Sequence, residues 1–250
     1  MAVIPFGRWV NLQNSTNDFT GGIVFRGNGT NNTLRVFSTG SLSTGGIRVE
    51  GTNNFIATEQ NNLSIGVGVA NAIELASGGS LEISSNSGPI LLSGAITGGG
   101  SLSHNNTGTL TLSGVNSYSG GSTVKAGVLT VSGSGTFGAS TGNLTASGGT
   151  LDLAGNSFSA GTVTISGGII ENGTLTGTSY VATSGYVSAN LAGAGTLTMN
   201  SGSNRLVLSG NNNYSGSTNI TAGTLRATGD YALPNYTTGT INVGDRKSVV

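Results

Sequence analysis

The sequence predicts an all-β chain wound as a parallel β-solenoid, a β-helix with single-stranded coils of roughly 20–25 residues. Three observations carry that prediction. The segment TLTLSGVNSYSGGSTVKAGVLTVSG, residues 109–133, returns as LVLSGNNNYSGSTNITAGTLRATG at 206–229. Glycine fills 45 of the 250 positions, while charged residues supply only 7%. Short alternations of apolar and hydroxyl side chains recur between Gly, Ser and Asn, and no window carries a convincing helical period.

The repeat comes first because a chain that repeats itself is an array before it is a globular domain. With Leu110 set on Leu206, an offset of 96, eleven of the twenty positions from 110 to 129 are identical. They include Leu110, Leu112, Asn116, Tyr118, Gly120, Ala126 and Leu129. Chance similarity between two Gly/Ser/Thr-rich segments would match Gly and Ser, but not also the spacing of Leu, Asn and Tyr. Upstream, ITGGGSL at 96–102 matches LAGAGTL at 191–197 with an offset of 95. A degenerate copy, GGTLDLAGNSFSAGTVTISGG at 148–168, keeps Leu151, Leu153, Gly155 and Asn156, with Phe158 in place of Tyr. NDFTGG at 17–22 has the same Asn-x-aromatic core. The cores begin at Asn17, Asn116, Asn156 and Asn212, and this unequal spacing suits a solenoid better than a propeller of fixed blades.

The strands follow from period 2. In Leu110-Thr-Leu112, Leu151-Asp-Leu153, Val163-Thr-Ile165 and Leu206-Val-Leu208, alternate side chains point to opposite faces. Stacked coil on coil at about 4.8 Å, the apolar set fills the lumen and Thr and Ser cover the outside. On that basis the chain makes on the order of ten coils. The corners need residues that tolerate positive φ, and Gly and Asn supply them. The Asn-x-Tyr-Ser-Gly core is expected to mark a corner, with the Asn amide bonding the coils above and below in an Asn ladder. Tyr118 and Tyr214 are expected to be scaffold residues packed on neighbouring coils. The functional alternative makes them exposed sugar-stacking platforms.

Composition narrows the function classes. With 9 Lys+Arg and 9 Asp+Glu the net charge is zero, so no basic stripe points to nucleic acid or an anionic membrane. No apolar run approaches the length of a membrane-spanning helix. Cysteine is absent, so no disulfide framework exists. The first residues, MAVIPF, lack the basic start and sustained apolar stretch of a signal peptide.

The pattern resembles a known family. GGGSLSHNNTGTLTLSGVNSYSGGSTVKAGVLTVSG at 98–133, and its second copy at 193–228, look like the passenger-associated, or autotransporter-associated, β-strand repeat of bacterial surface proteins. The segment between them, 148–195, looks like the linking sequence found between such repeats. The resemblance is specific over about 94–228 and weaker over 17–93. It implies a right-handed parallel β-helix, exported and displayed at the cell surface, outer membrane-anchored or secreted. It implies no reaction. It also implies a signal peptide upstream and an outer-membrane β-barrel downstream, so the chain is read either as a fragment of a longer protein or as an unusual stand-alone one. Residues 1–93 are read as divergent N-terminal solenoid coils, 94–244 as solenoid with the family's repeats, and 245–250 as a non-native tail. That tail, DRKSVV, brings three charges in six residues and resembles a translated sequencing adapter. Without Asp245, Arg246 and Lys247 the balance becomes 7 Lys+Arg against 8 Asp+Glu, so the reading of charge is unchanged.

Candidate chemistry is sparse. His104 is the only histidine and lies in SHNN beside a repeat turn, so a solvated turn residue is expected. No nucleophile-elbow pattern exists. Asp18, Glu50, Glu59, Glu74, Glu82, Asp152, Glu171 and Asp230 are scattered singly. Glu74 and Glu82, in IEL and LEI, would stack on successive strands as outward, solvated charges. Calcium-binding nonapeptides and a phosphate loop are absent. No catalytic, cofactor-binding or metal residue is assigned.

Two functions follow from different classes. The first is a structural or adhesive stalk segment without catalysis, whose partners are host or environmental surfaces or glycans and the polypeptide's own outer-membrane barrel. The second is a carbohydrate-active or tailspike-like β-helix, a lyase or hydrolase. The mark set for the second is three or more Asp/Glu and Arg/Lys/His side chains converging within about 6 Å on one groove, where charges shift each other's pKa.

Overall fold

The computed structural model describes residues 2–4, 9–12, 20–26, 31–36, 45–58, 67–85, 88–234, 241–243 and 248–249. Within them every regular element is a β-strand, and strand pairs with strand in parallel. The chain forms two compact units, Met1–Ala139 and Ser140–Val250.

In the first unit each passage of the single chain lays strands on up to three faces. One face stacks Ala2–Ile4, Ile23–Arg26, Ile47–Glu50, Ile73–Leu75 and Ile96–Gly98. A second stacks Trp9–Leu12, Asn32–Val36, Asn54–Thr58, Ser80–Ser85 and the first half of Ser101–Leu112. A third stacks Val67–Val69, Ile90–Leu92 and the second half of Ser101–Leu112. Ser122–Val131 continues both the second and the third. Ile23 pairs with Ile47, Ile47 with Ile73 and Ile73 with Ile96. These spacings are 24, 26 and 23 residues, and they shorten to 20 from Leu102 to Ser122 and 19 from Leu110 to Leu129, so the coils bracket the expected length.

Parallel in-register stacking turns the period-2 pattern into columns. On the second face Leu34, Ile56, Ile83, His104 and Val124 stand in one inward column, all buried. On the third, Leu110 and Leu112 stack on Leu129 and Val131. Such residues are shielded by their own faces and by the coils above and below. Each fully buried Leu, Ile or Val contributes about 1.5–3 kcal/mol of transfer free energy.

The second unit uses the same logic with fewer residues per coil. Ser157–Glu171 and Thr174–Val187 run through corners as strands of 15 and 14 residues. Ser157 pairs with Thr174 and Ser179 with Thr196, so these coils are shorter than the sequence reading expects. The coil lengthens again between Gly185 and its partner Leu206. The inward column Leu144, Val163, Tyr180, Leu197 carries an aromatic. Of the charged tail, Asp245, Arg246 and Lys247 lie outside the described residues, as do Asn17, Asp18 and Glu59.

Candidate functional site

The Asn-x-Tyr core is a corner, and its amide ties three coils together. Asn116 Oδ1 accepts from Ile96 N–H at 2.8 Å, and its Nδ2 donates to Thr136 C=O at 2.6 Å. Asn212 repeats this: Oδ1 accepts from Leu191 N–H at 2.8 Å and Nδ2 donates to Ala232 C=O at 2.6 Å. The amide thus satisfies one donor of the preceding coil and one acceptor of the next, groups that a corner would otherwise leave unpaired. Neither Asn has positive φ. Among the described non-glycine residues only Asn53, Ala154 and Asn172 have it. A ladder of Asn on Asn occurs elsewhere, where buried Asn32 Nδ2 donates to Asn54 Oδ1 at 3.1 Å.

Tyr118 and Tyr214 are fully buried, so the sugar-platform alternative is excluded for both. The Tyr118 hydroxyl lies 2.6 Å from Ser122 Oγ, and that of Tyr214 lies 2.7 Å from Thr218 Oγ1. Sequence reading missed these hydroxyl partners, although both copies hold Ser or Thr four residues after Tyr. Burial drives both phenols upward, Tyr214 to about 12. The Tyr214 ring also packs on Tyr180, with centroids 5.8 Å apart and planes tilted by 48°. The glycine after the Tyr-Ser pair is explained by close approach. A Cβ on Gly120 would lie 2.5 Å from the Gly100 carbonyl, and one on Gly216 would press equally on that of Gly195.

The degenerate copy behaves differently. Leu151 and Leu153 are buried as expected, but Asn156 is exposed and donates to Leu153 O and Ala154 O within its own turn, at 3.2 and 3.1 Å. The chain reverses there in a tight turn, with Ala154 and Gly155 both at positive φ, and no long corner remains for the amide to bridge.

His104 departs from expectation. It is not a solvated turn residue. It sits in the strand Ser101–Leu112 with 0% of its surface exposed, in the lumen column of Ile83 and Val124. Nε2 lies 3.1 Å from Gly108 O and closes the bulge at 105–108. Burial holds its pKa below the ordinary value, offset in part by the Gly108 and Ile83 backbone and the Glu82 charge.

The acidic residues are less isolated than the sequence suggests. Arg48 lies between Glu50 and Glu74, reaching Glu50 Oε1 with Nε at 2.8 Å and Glu74 Oε1 with its Nη1. Arg26 Nε lies 3.3 Å from Glu50 Oε2. The Arg48 hydrogen bond holds the Glu50 carboxyl low, with smaller Coulombic help from Arg26. The column Val24, Arg48, Glu74, Thr97 lines a shallow concavity of about 350 Å³. Glu82 stands on a different face from Glu74, so the two do not stack as expected. It meets Lys125 Nζ at 2.5 Å, Asn105 Nδ2 at 3.1 Å and Ser103 Oγ at 3.3 Å.

Four charged side chains, Arg26, Glu50, Arg48 and Glu74, therefore converge as closely as the mark set for a carbohydrate-active site requires. A solenoid makes that mark too loose. Coils about 4.8 Å apart bring any outward Arg and Glu on adjacent strands into contact. Each carboxylate of the cluster is bound by a guanidinium. Among the described residues no group of three or more His, Asp or Glu is placed to hold a metal ion. Among them no helix is long and apolar enough to cross a membrane.

A parallel solenoid whose coils are tied by an Asn amide over a buried Tyr is a β-helical repeat protein. Three segments, 105–131, 141–171 and 201–227, match the family model of the passenger-associated-transport repeat, so the chain carries three copies of that repeat. The middle match covers 148–171, half of the segment read from sequence as a link between repeats. The three repeats and the solenoid fit an autotransporter passenger β-helix. No curated protein and no solved structure matches the chain significantly.

Proposed function

We propose that the chain is a structural and adhesive stalk segment of an exported bacterial surface protein, either displayed on the outer membrane or secreted, and that it performs no catalysis. The observation that carries this reading is the recurrence of the transport repeat in a parallel β-solenoid whose repeat-specific residues are spent on the scaffold. Asn116, Tyr118, Asn212 and Tyr214 all face other parts of the coil stack. Much of the outward surface is Thr, Ser and Asn, as in the column Thr145, Thr164, Val181, Thr198, Asn219, which suits weak contacts with glycans or host and environmental surfaces. In the longer polypeptide its partner is a C-terminal outer-membrane β-barrel. Nucleic acid is no partner of a chain with zero net charge.

The export reading is tested by placing the chain between a signal peptide and an autotransporter barrel in a Gram-negative host. Expected is surface exposure on intact cells, shown by antibody labelling, with a protease-resistant core. A chain that stays in the periplasm unfolded, or is degraded there, overturns it.

One observation favours a second reading, a carbohydrate-active β-helix: the Arg26–Glu50–Arg48–Glu74 cluster beside its concavity. Incubation with a panel of plant and bacterial polysaccharides, read by new reducing ends and by absorbance of unsaturated products, separates the two. The stalk reading expects neither signal. A product that disappears in Glu74→Gln replaces it with the second.

A further inference from the structure

We propose that the outward column Ile169–Tyr186–Val207 in the second unit is a stacking site for a neutral, extended glycan, with Tyr186 as its platform. The proposal rests on the glycan part of the partner reading above and gives it a place. Along one face Thr150 pairs with Ile169, Ile169 with Tyr186, Tyr186 with Val207 and Val207 with Arg226. The alternate positions Leu151, Ile170, Val187 and Leu208 are buried in the lumen, so this column points outward. Outward columns elsewhere in the unit are mostly hydroxyl and amide, as in Thr145, Thr164, Val181, Thr198, Asn219. Tyr186, exposed between half-buried Ile169 and Val207, therefore breaks the rule of the surface.

Tyr186 is 40% exposed, and its hydroxyl accepts a hydrogen bond from Ser209 Oγ at 2.8 Å. That bond restrains the ring, so a ligand meets a fixed apolar face and not a rotating one. Thr150 and Arg226 lie at the two ends of the column and supply hydroxyl and guanidinium groups to a polyol. Coils recur at about 4.8 Å, close to the advance of one pyranose in an extended β-linked chain, so successive sugars fall over successive side chains. A protein partner is disfavoured by size. A stable protein–protein interface buries about 800 Å² per partner, far more than three side chains present.

The test uses the whole chain with cellohexaose, laminarihexaose and a chitin hexamer as probes, read by saturation-transfer NMR and titration. Expected is binding of at least one probe, with saturation drawn from the Tyr186 ring. Tyr186→Ala should weaken it at least tenfold, and Val207→Ser about threefold. Tyr231→Ala, at an exposed tyrosine outside the column, should change nothing. Tyr186→Trp should keep or strengthen binding, which separates loss of a platform from loss of fold. If the chain binds a probe and Tyr186→Ala binds it equally, the site falls while the glycan reading stands. If no probe binds, both fall.

Discussion

Asn212 shows how one side chain stabilises three coils. Its carbonyl oxygen and amide nitrogen occupy a backbone N–H of one coil and a backbone C=O of another, both in buried corners. Asn212→Ala leaves both unpaired, at about 1–3 kcal/mol for each group. The expected loss is about 2–4 kcal/mol, read as a lower urea midpoint, and Asn116→Ala should behave alike. His104 gives a pH-dependent counterpart. Burial holds its pKa in the fold below the value near 6.5 of an unfolded chain. Between those two values the unfolded state binds the proton better. Stability is then full above about pH 6.5, falls as pH drops below it, and levels off beneath the folded pKa. The second repeat copy carries Met199 where the first has His104, and Met199 is buried in its own lumen column. His104→Met should therefore fold and flatten the acid limb of the urea-midpoint profile below about pH 6.5. A mutant that keeps the same acid slope would place the titrating group elsewhere.

At the scale of the element, the short turn between Leu153 and Asn156 is where the local sequence is poorest. Ala154 has φ 52° and Gly155 has φ 78°, and Asn156 N–H bonds to Leu153 C=O at 2.9 Å. Positive φ at both central positions defines the mirror-image hairpin turn, which favours Asn-Gly. Alanine in the left-handed region costs roughly 1–2 kcal/mol. The next coil has Asn172-Gly173 at its own turn, with Asn172 at φ 57°. Ala154→Asn should raise stability by about 0.5–1 kcal/mol in urea unfolding. Strands were legible in the sequence because period 2 survives stacking: Leu110, Leu112, Leu151, Leu153, Leu206 and Leu208 all point inward as the alternation requires. Corners were legible as corners, because the Asn-x-Tyr frame repeats. Tyr186 and Arg48 were not. Their meaning comes from what stands one coil away, and coil lengths vary too much for that neighbour to be counted out in advance.

Across the whole molecule the small number of charges sets the response to salt. There are 9 Lys+Arg and 9 Asp+Glu in 250 residues, and the pairs formed among the described residues are mostly solvent-exposed. Arg26–Glu50–Arg48–Glu74 is the largest set, with side chains 35–55% exposed. Exposed pairs contribute about 0–1 kcal/mol each and are screened by salt. The lumen columns and corner amides are apolar or neutral and feel no screening. Raising NaCl from about 0.05 to 0.5 M, which shortens the Debye length to a few Å, should shift the urea-derived stability by no more than about 1 kcal/mol. Lys125–Glu82 is the pair to watch, because Glu82 is only 15% exposed and also holds Asn105 and Ser103. Lys125→Met should lower stability by about 1 kcal/mol or less and leave the salt dependence nearly unchanged, since it removes the least screened contact. A fall of several kcal/mol on adding salt would mean that charge and not the stacked lumen holds the coils together.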